Sequence, residues 1–136
     1  MQVRSYLIFN GRTDEALDFY KSKLGAEVTA LMRFKESPDT SMCSAASLEK
    51  VMHSEFRIGE TTVMASDGMG PYEGKPKFDG FSLTLMAEND AEAQRLFNAL
   101  SEGGEVRMPL DKTFFASRFG MVADKFGLGW MVITAQ

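Results

Sequence analysis

This chain of 136 residues has one cysteine, one histidine and one tryptophan. A lone cysteine, Cys43, cannot close an internal disulfide, which fits a reducing compartment. No basic residue lies close to it in sequence, so nothing there activates it as a nucleophile. A lone histidine excludes a metal centre that needs two imidazoles from one subunit. No run of Lys and Arg occurs, and 15 basic residues against 19 acidic ones leave a formal net charge of −4. That balance gives no long-range pull toward a phosphate backbone or an anionic lipid surface. Neither nucleic acid nor membrane is an expected partner. No apolar run approaches the roughly 20 residues of a membrane span. The run Tyr6 to Phe9 is too short for the core of a signal peptide. The expectation is a cytoplasmic protein.

What the chain does have is 44% hydrophobic residues, a globular composition. Its length fits one domain or two small fused modules. A repeat decides between these. Gly25-Ala26-Glu27-Val28 follows one predicted helix, and Gly103-Gly104-Glu105-Val106 follows another. Each half then closes with a glycine-centred hairpin, around Gly59 and around Gly127. A chain built twice from one unit has a seam, and a seam is a natural place for a pocket.

Val3 to Phe9 is rich in β-formers and bounded by Asn10-Gly11, which predicts a strand. Thr13 or Asp14 is the expected cap of a helix whose apolar face is Ala16, Leu17, Tyr20 and Leu24. Gly25 supplies the left-handed residue that ends it. Glu27 to Phe34 reads as a second strand. Glu36 to Lys50 is serine-rich and long for a loop in a compact domain, either a lid or a tolerated insertion. Val51 to Ile58 and Thr61 to Asp67 form a hairpin. The glycines and prolines between Asp67 and Gly80 mark a linker. A strand from Phe81, a helix capped by Asp90, and strands over Glu105 to Leu110, Arg118 to Asp124 and Leu128 to Thr134 complete the second half. The expected class is α+β, with modules at 1–68 and 81–136, a linker at 69–80, and the whole forming one compact domain.

Candidate site residues follow from chemistry. His53 and Glu55 are two apart on a strand and point to the same face. A histidine there serves as a general acid or base, or simply completes the packing. Asp67 at the mouth of the linker could meet a ligand cation or orient His53. Capping the turn over Gly68 is the commoner use of Asp before Gly. Trp130, beside Gly127 and Gly129, reads equally as a pocket wall or as core. Phe114, Phe115 and Phe119 bracket Arg118, as a clamp for an anionic ligand or as an edge strand with a surface arginine. Tyr6 is a further polar point. Ten methionines fit an adaptable apolar surface or a methionine-rich core.

Several motifs together resemble one known family. Phe9-Asn10-Gly11, Glu15-Ala16, Phe19-Tyr20 and Gly25-Ala26-Glu27 are similar to the opening of the PhnB-like branch of the vicinal oxygen chelate superfamily. So are His53 with Gly59, Ser66-Asp67, Thr113-Phe114-Phe115, Phe119-Gly120, Asp124-Lys125-Phe126-Gly127 and Trp130-Met131. That superfamily includes glyoxalase I, bleomycin-resistance proteins and extradiol dioxygenases. The resemblance covers nearly the whole chain. It implies two βαβββ modules, each curling a mixed sheet into a half-barrel, and a homodimer. It also implies divalent-metal ligands on the first and last strands of each module. The residues expected there are Tyr6 or Leu7, Val63 or Met64, Phe81 or Ser82, and Trp130 or Met131, and none is a good ligand for such an ion. No cofactor is expected, a divalent metal being the remaining option. Family members often carry a methyltransferase name, yet no glycine-rich strand-to-helix turn of the S-adenosylmethionine-binding kind is present. The expectation is a metal-free protein that binds a small organic molecule through His53, Asp67, Tyr6 and Arg118. The alternatives are an isomerase- or lyase-like enzyme using His53, metal-dependent glyoxalase- or dioxygenase-like chemistry, a drug-sequestering resistance protein, and an interaction module with no ligand.

Overall fold

A computed structural model describes residues 1–135. The first half contains β1 (Tyr6–Ile8), α1 (Thr13–Leu24), β2 (Glu27–Arg33), β3 (Val51–Ile58) and β4 (Thr61–Ser66). The second repeats the order with β5 (Leu83–Ala87), α2 (Asp90–Ser101), β6 (Glu105–Asp111), β7 (Ala116–Ala123) and β8 (Gly129–Ala135). Each half makes its own four-stranded mixed sheet, in the orders β1-β4-β3-β2 and β5-β8-β7-β6. The first strand of each pairs in parallel with the last, and the other pairings are antiparallel. The expected α+β class and the doubled βαβββ order both hold. Neither sheet closes into a barrel.

The chain divides into two compact units, Met1–Pro76 and the rest from Lys77 onward. Residues 69–76, expected as linker, therefore belong with the first unit. Asn10 explains part of this: its Nδ2 donates to Glu73 O at 2.9 Å. Tyr72 explains more, because its hydroxyl donates to Gly68 O at 2.8 Å and lies 2.9 Å from Ser47 Oγ.

Within each unit the helix covers one face of the sheet. In the first, Leu7, Tyr20, Phe56 and Ala65 are buried, and the Tyr20 and Phe56 rings stack with centroids 5.7 Å apart. In the second, Leu96, Phe97 and Leu100 of α2 are buried with Val122, Trp130 and Val132 of the sheet. Burying each large apolar side chain contributes about 2 kcal/mol.

The helix starts differ from expectation. Arg12 precedes α1 and makes no side-chain capping bond. Asn89 caps α2 by accepting from Glu92 N, so Asp90 is the first helical residue and not the cap. Gly25 ends α1 in the left-handed conformation, as expected. Gly104 has a different role from a helix stop: a Cβ there would lie 2.2 Å from Ala123 O. Glycine is needed so that the chain entering β6 can lie against the backbone of β7. Val3 is 95% exposed, and the first strand is shorter than its β-rich sequence predicts.

Residues 36–50 include a 3-10 turn at Ala45–Ser47, and the loop is tied at its base. Arg33 donates to Glu49 O at 2.8 Å and forms a forked ion pair with Asp14 at 2.8 and 2.9 Å. The Arg33 guanidinium holds the Asp14 carboxyl below its ordinary range. Among the described residues, no helix is long and apolar enough to cross a membrane.

Candidate functional site

Register decides which side chains meet on the face of the first sheet that α1 leaves open. Tyr6 of β1 pairs with Met64 of β4. Glu55 of β3 also pairs with Met64, and His53 pairs with Met32 of β2. Residues opposite one another in a ladder share a face. Tyr6, Met64, Glu55, His53 and Met32 therefore stand together. Leu7, Ser54 and Phe56 alternate with them and are buried.

Three of these form a hydrogen-bonded chain. Tyr6 Oη lies 3.1 Å from His53 Nδ1. His53 Nε2 lies 3.1 Å from Glu55 Oε2, and Arg4 Nη1 lies 3.5 Å from the other carboxylate oxygen. A carboxylate only accepts, so Nε2 carries a hydrogen and donates to Glu55. In the neutral ring Nδ1 then accepts from the Tyr6 hydroxyl. Tyr6 is 45% exposed, and the side chains of His53 and Glu55 are 34% and 30% exposed. The arrangement can accept a proton, pass one between Tyr6 and His53, or hydrogen-bond a ligand at the Tyr6 hydroxyl. His53, Glu55 and Tyr6 are all candidates by sequence, and His53 is expected beside Glu55; the contact of Tyr6 with His53 is what the sequence does not indicate. Arg4 and Met32 were missed as neighbours, because strand register carries no signal in one sequence.

The remaining candidates lie elsewhere. Asp67 is 1% exposed. Its Oδ1 accepts from Gly11 N, Thr13 N and Thr13 Oγ1, and its Oδ2 accepts from Val51 N. The turn over Gly68 is held by Ser66 Oγ instead. Asp67 does not cap that turn, because its oxygens are engaged in joining the start of α1 to the start of β3. Trp130 is 2% exposed and donates through Nε1 to Asp124 Oδ2 at 2.9 Å. Its place is core, packed on the helix side of the second sheet.

The aromatic clamp around Arg118 does not form. Arg118 pairs in register with Thr134, whose hydroxyl donates to Asn89 O at the head of α2. Arg118 itself donates to Ser117 O and lies 3.7 Å from Asp90. Phe119 alternates to the opposite face and meets Phe115, which in turn meets Phe114, each pair with centroids 5.1 Å apart. Phe115 and Phe114 are 47% and 93% exposed.

A shallow cleft of about 550 Å³ lies between the 36–50 loop and residues 69–73, with Ser44, Ala46 and Tyr72 among its walls. It does not include His53. Cys43 is a free thiol of intermediate exposure beside it in sequence.

The donor chemistry for a divalent metal does not fit. On the open face of the first sheet, the first and last strands present Tyr6 and Met64. On the second sheet, the equivalent pair is Thr84 and Met131, not Phe81 or Ser82. Phenol, hydroxyl and thioether are poor ligands for hard or borderline cations. Among the described residues no group of three His, Cys, Asp or Glu is placed to hold a metal ion.

Comparison with known proteins agrees with the architecture. The chain is 34% identical to Protein YjdN of Escherichia coli, over 97% of this chain and 94% of that protein. It superposes on the crystal structure of PA1353 from Pseudomonas aeruginosa with a TM-score of 0.86 and 43% identity, covering 100% and 98% of the two chains. At the level of fold alone, it resembles a glyoxylase/bleomycin resistance protein/dioxygenase domain from Frankia, with a TM-score of 0.68 at 14% identity, covering 100% and 93%. The profile of the family described as 3-demethylubiquinone-9 3-methyltransferase matches residues 1–133, and the chain belongs to that family.

Proposed function

We propose that this protein binds a small organic molecule against the open face of its first sheet, without a metal, and that Tyr6, His53 and Glu55 supply the polar contacts. One observation carries the reading. The Tyr6–His53–Glu55 chain is partly exposed and its polar atoms face one another and the surface, whereas Asp67 and Trp130 are engaged in the interior. The thioethers of Met32 and Met64 flank it and offer an adaptable apolar floor. The test is a small-molecule screen by thermal shift, followed by titration of each hit into His53→Ala and Tyr6→Phe. An identified ligand that binds both variants as it binds the parent overturns the proposal.

A second reading is supported by the order carboxylate, imidazole, hydroxyl. Glu55 orients His53, and His53 faces the Tyr6 hydroxyl, which suits a proton transfer of isomerase or lyase type. A bell-shaped pH–rate profile lost in His53→Ala would establish it. Recovery of the ligand unchanged after long incubation would instead favour sequestration of the drug-resistance kind.

The methyltransferase of the family description fits the fold poorly. Each sheet has a single parallel pair, and the amides of Gly11, before α1, and of Thr13, its first residue, are already held by Asp67. The same proposal includes a cytoplasmic homodimer. Its support is the apolar exposure of the second sheet, where Met86 and Met108 are 80% and 45% exposed. Sedimentation would test it.

A further inference from the structure

We infer that the ligand of the Tyr6–His53–Glu55 face carries an ionised oxygen of carboxylate type on an apolar body, and that it binds with uptake of a proton at His53. This rests on the reading of that face as the binding site.

The Glu55 carboxylate can only accept. Its Oε2 takes the Nε2 hydrogen of His53. In the neutral ring Nδ1 is then an acceptor, and the Tyr6 hydroxyl points its hydrogen at it. The outward side of Tyr6 Oη offers lone pairs and repels an anion. When the ring is protonated, both nitrogens donate. Nδ1 now donates to Tyr6 Oη, and the Tyr6 hydrogen is released to point outward. The protonation state of His53 thus sets whether Tyr6 presents an acceptor or a donor. An anionic oxygen is held only in the second state, so binding it draws a proton from solvent onto the ring.

The charges around the ring favour that outcome. Tyr6 faces it from β1, Met64 from β4 and Met32 from β2, and none of these carries charge at neutral pH. Glu55 faces it along β3, with its other oxygen toward Arg4. Arg57, the next residue on that face, is paired with Glu27 of β2. With a neutral ring, Arg4 and Glu55 cancel. With a protonated ring, the face has a net positive charge that an anion neutralises. The apolar body would lie on Met64, Met32 and Ile8, the last two each 43% exposed.

Benzoate and its neutral counterpart benzamide are the probes, titrated into isotope-labelled protein and followed by amide resonances of β1 and β3. The expected result is benzoate binding that tightens about tenfold per unit fall in pH where His53 starts neutral, with about one proton taken up per ligand by calorimetry in buffers of different ionisation heat. Benzamide binding should be flat with pH. His53→Gln should flatten the benzoate profile, and Tyr6→Phe, which keeps the ring, should lose the preference for benzoate. Benzoate binding without proton uptake, or a pH profile that survives His53→Gln, overturns the inference and leaves the site standing. No response of β1 and β3 to either probe at any pH overturns the inference and the site together.

Discussion

Thr13 and Asp67 are 54 positions apart in sequence, yet the Thr13 hydroxyl donates to Asp67 Oδ1 at 2.6 Å. The same oxygen takes the Thr13 and Gly11 amides, and Oδ2 takes the Val51 amide. One buried carboxylate thus replaces the local cap that α1 lacks and fixes the start of β3, the strand that carries His53.

Removing that carboxylate leaves three backbone donors without their acceptor. Asp67→Ala is expected to lower stability by about 3 to 5 kcal/mol. Asp67→Asn keeps one accepting oxygen but turns an amide hydrogen toward other donors, and should cost about 2 kcal/mol. Urea unfolding with an unchanged slope measures both. A loss below about 1 kcal/mol for Asp67→Ala would mean that these bonds are readily replaced by water.

Trp130 makes a second, separable case. Its indole donates to Asp124 Oδ2, while Phe126 and Leu128 amides donate to Oδ1. Trp130→Phe removes the indole donor, with an expected loss of about 1 to 3 kcal/mol. Ligand affinity at the Tyr6 face should not change. Affinity that falls while stability holds would return Trp130 to the ligand site.

These two residues show where sequence reading stops. The doubled strand-and-helix order was legible because glycines punctuate it and because apolar residues keep a clean period, as in Phe81, Leu83 and Leu85 against Ser82 and Thr84. The pairing of His53 with Glu55 was legible because both lie on one strand. What joins strands was not. Tyr6 meets His53 only because β4 lies between β1 and β3. Asp67 and Trp130 carry polar atoms that suit a ligand, and in sequence nothing separates that use from a buried bond. Gly104 reads as a helix stop, although its need arises from the approach of Ala123 O.

Asp14 and Arg33 give a prediction in pH. The paired guanidinium lowers the Asp14 carboxyl in the folded state, so the pair contributes stability above the carboxyl's ordinary range and loses it as pH falls through the lowered value. The Asp14 side chain is 54% exposed, which limits the contribution to about 0.5 kcal/mol. Asp14→Asn should therefore be less stable than the parent at neutral pH, with the difference shrinking toward strongly acid conditions. Parallel urea titrations across that range measure it. A difference that grows on acidification would show that the pair does not act through the ionised carboxylate.

The metal question has a direct answer in solution. The side chains at the first and last strands of the two sheets are Tyr6 with Met64 and Thr84 with Met131. Untagged protein purified under mild conditions is expected to hold no stoichiometric divalent metal by elemental mass spectrometry. Added zinc, nickel or manganese should not raise the melting temperature. The control is sensitive: a site filled at a hundred times its dissociation constant stabilises by about 2.7 kcal/mol, a rise of roughly 10 °C at this chain length. If a stoichiometric metal is found and is lost in His53→Ala, then His53 and Glu55 exchange their mutual hydrogen bond for an ion. The donor argument then fails, and proton uptake at His53 fails with it, because a metal-bound imidazole has no free nitrogen there to protonate.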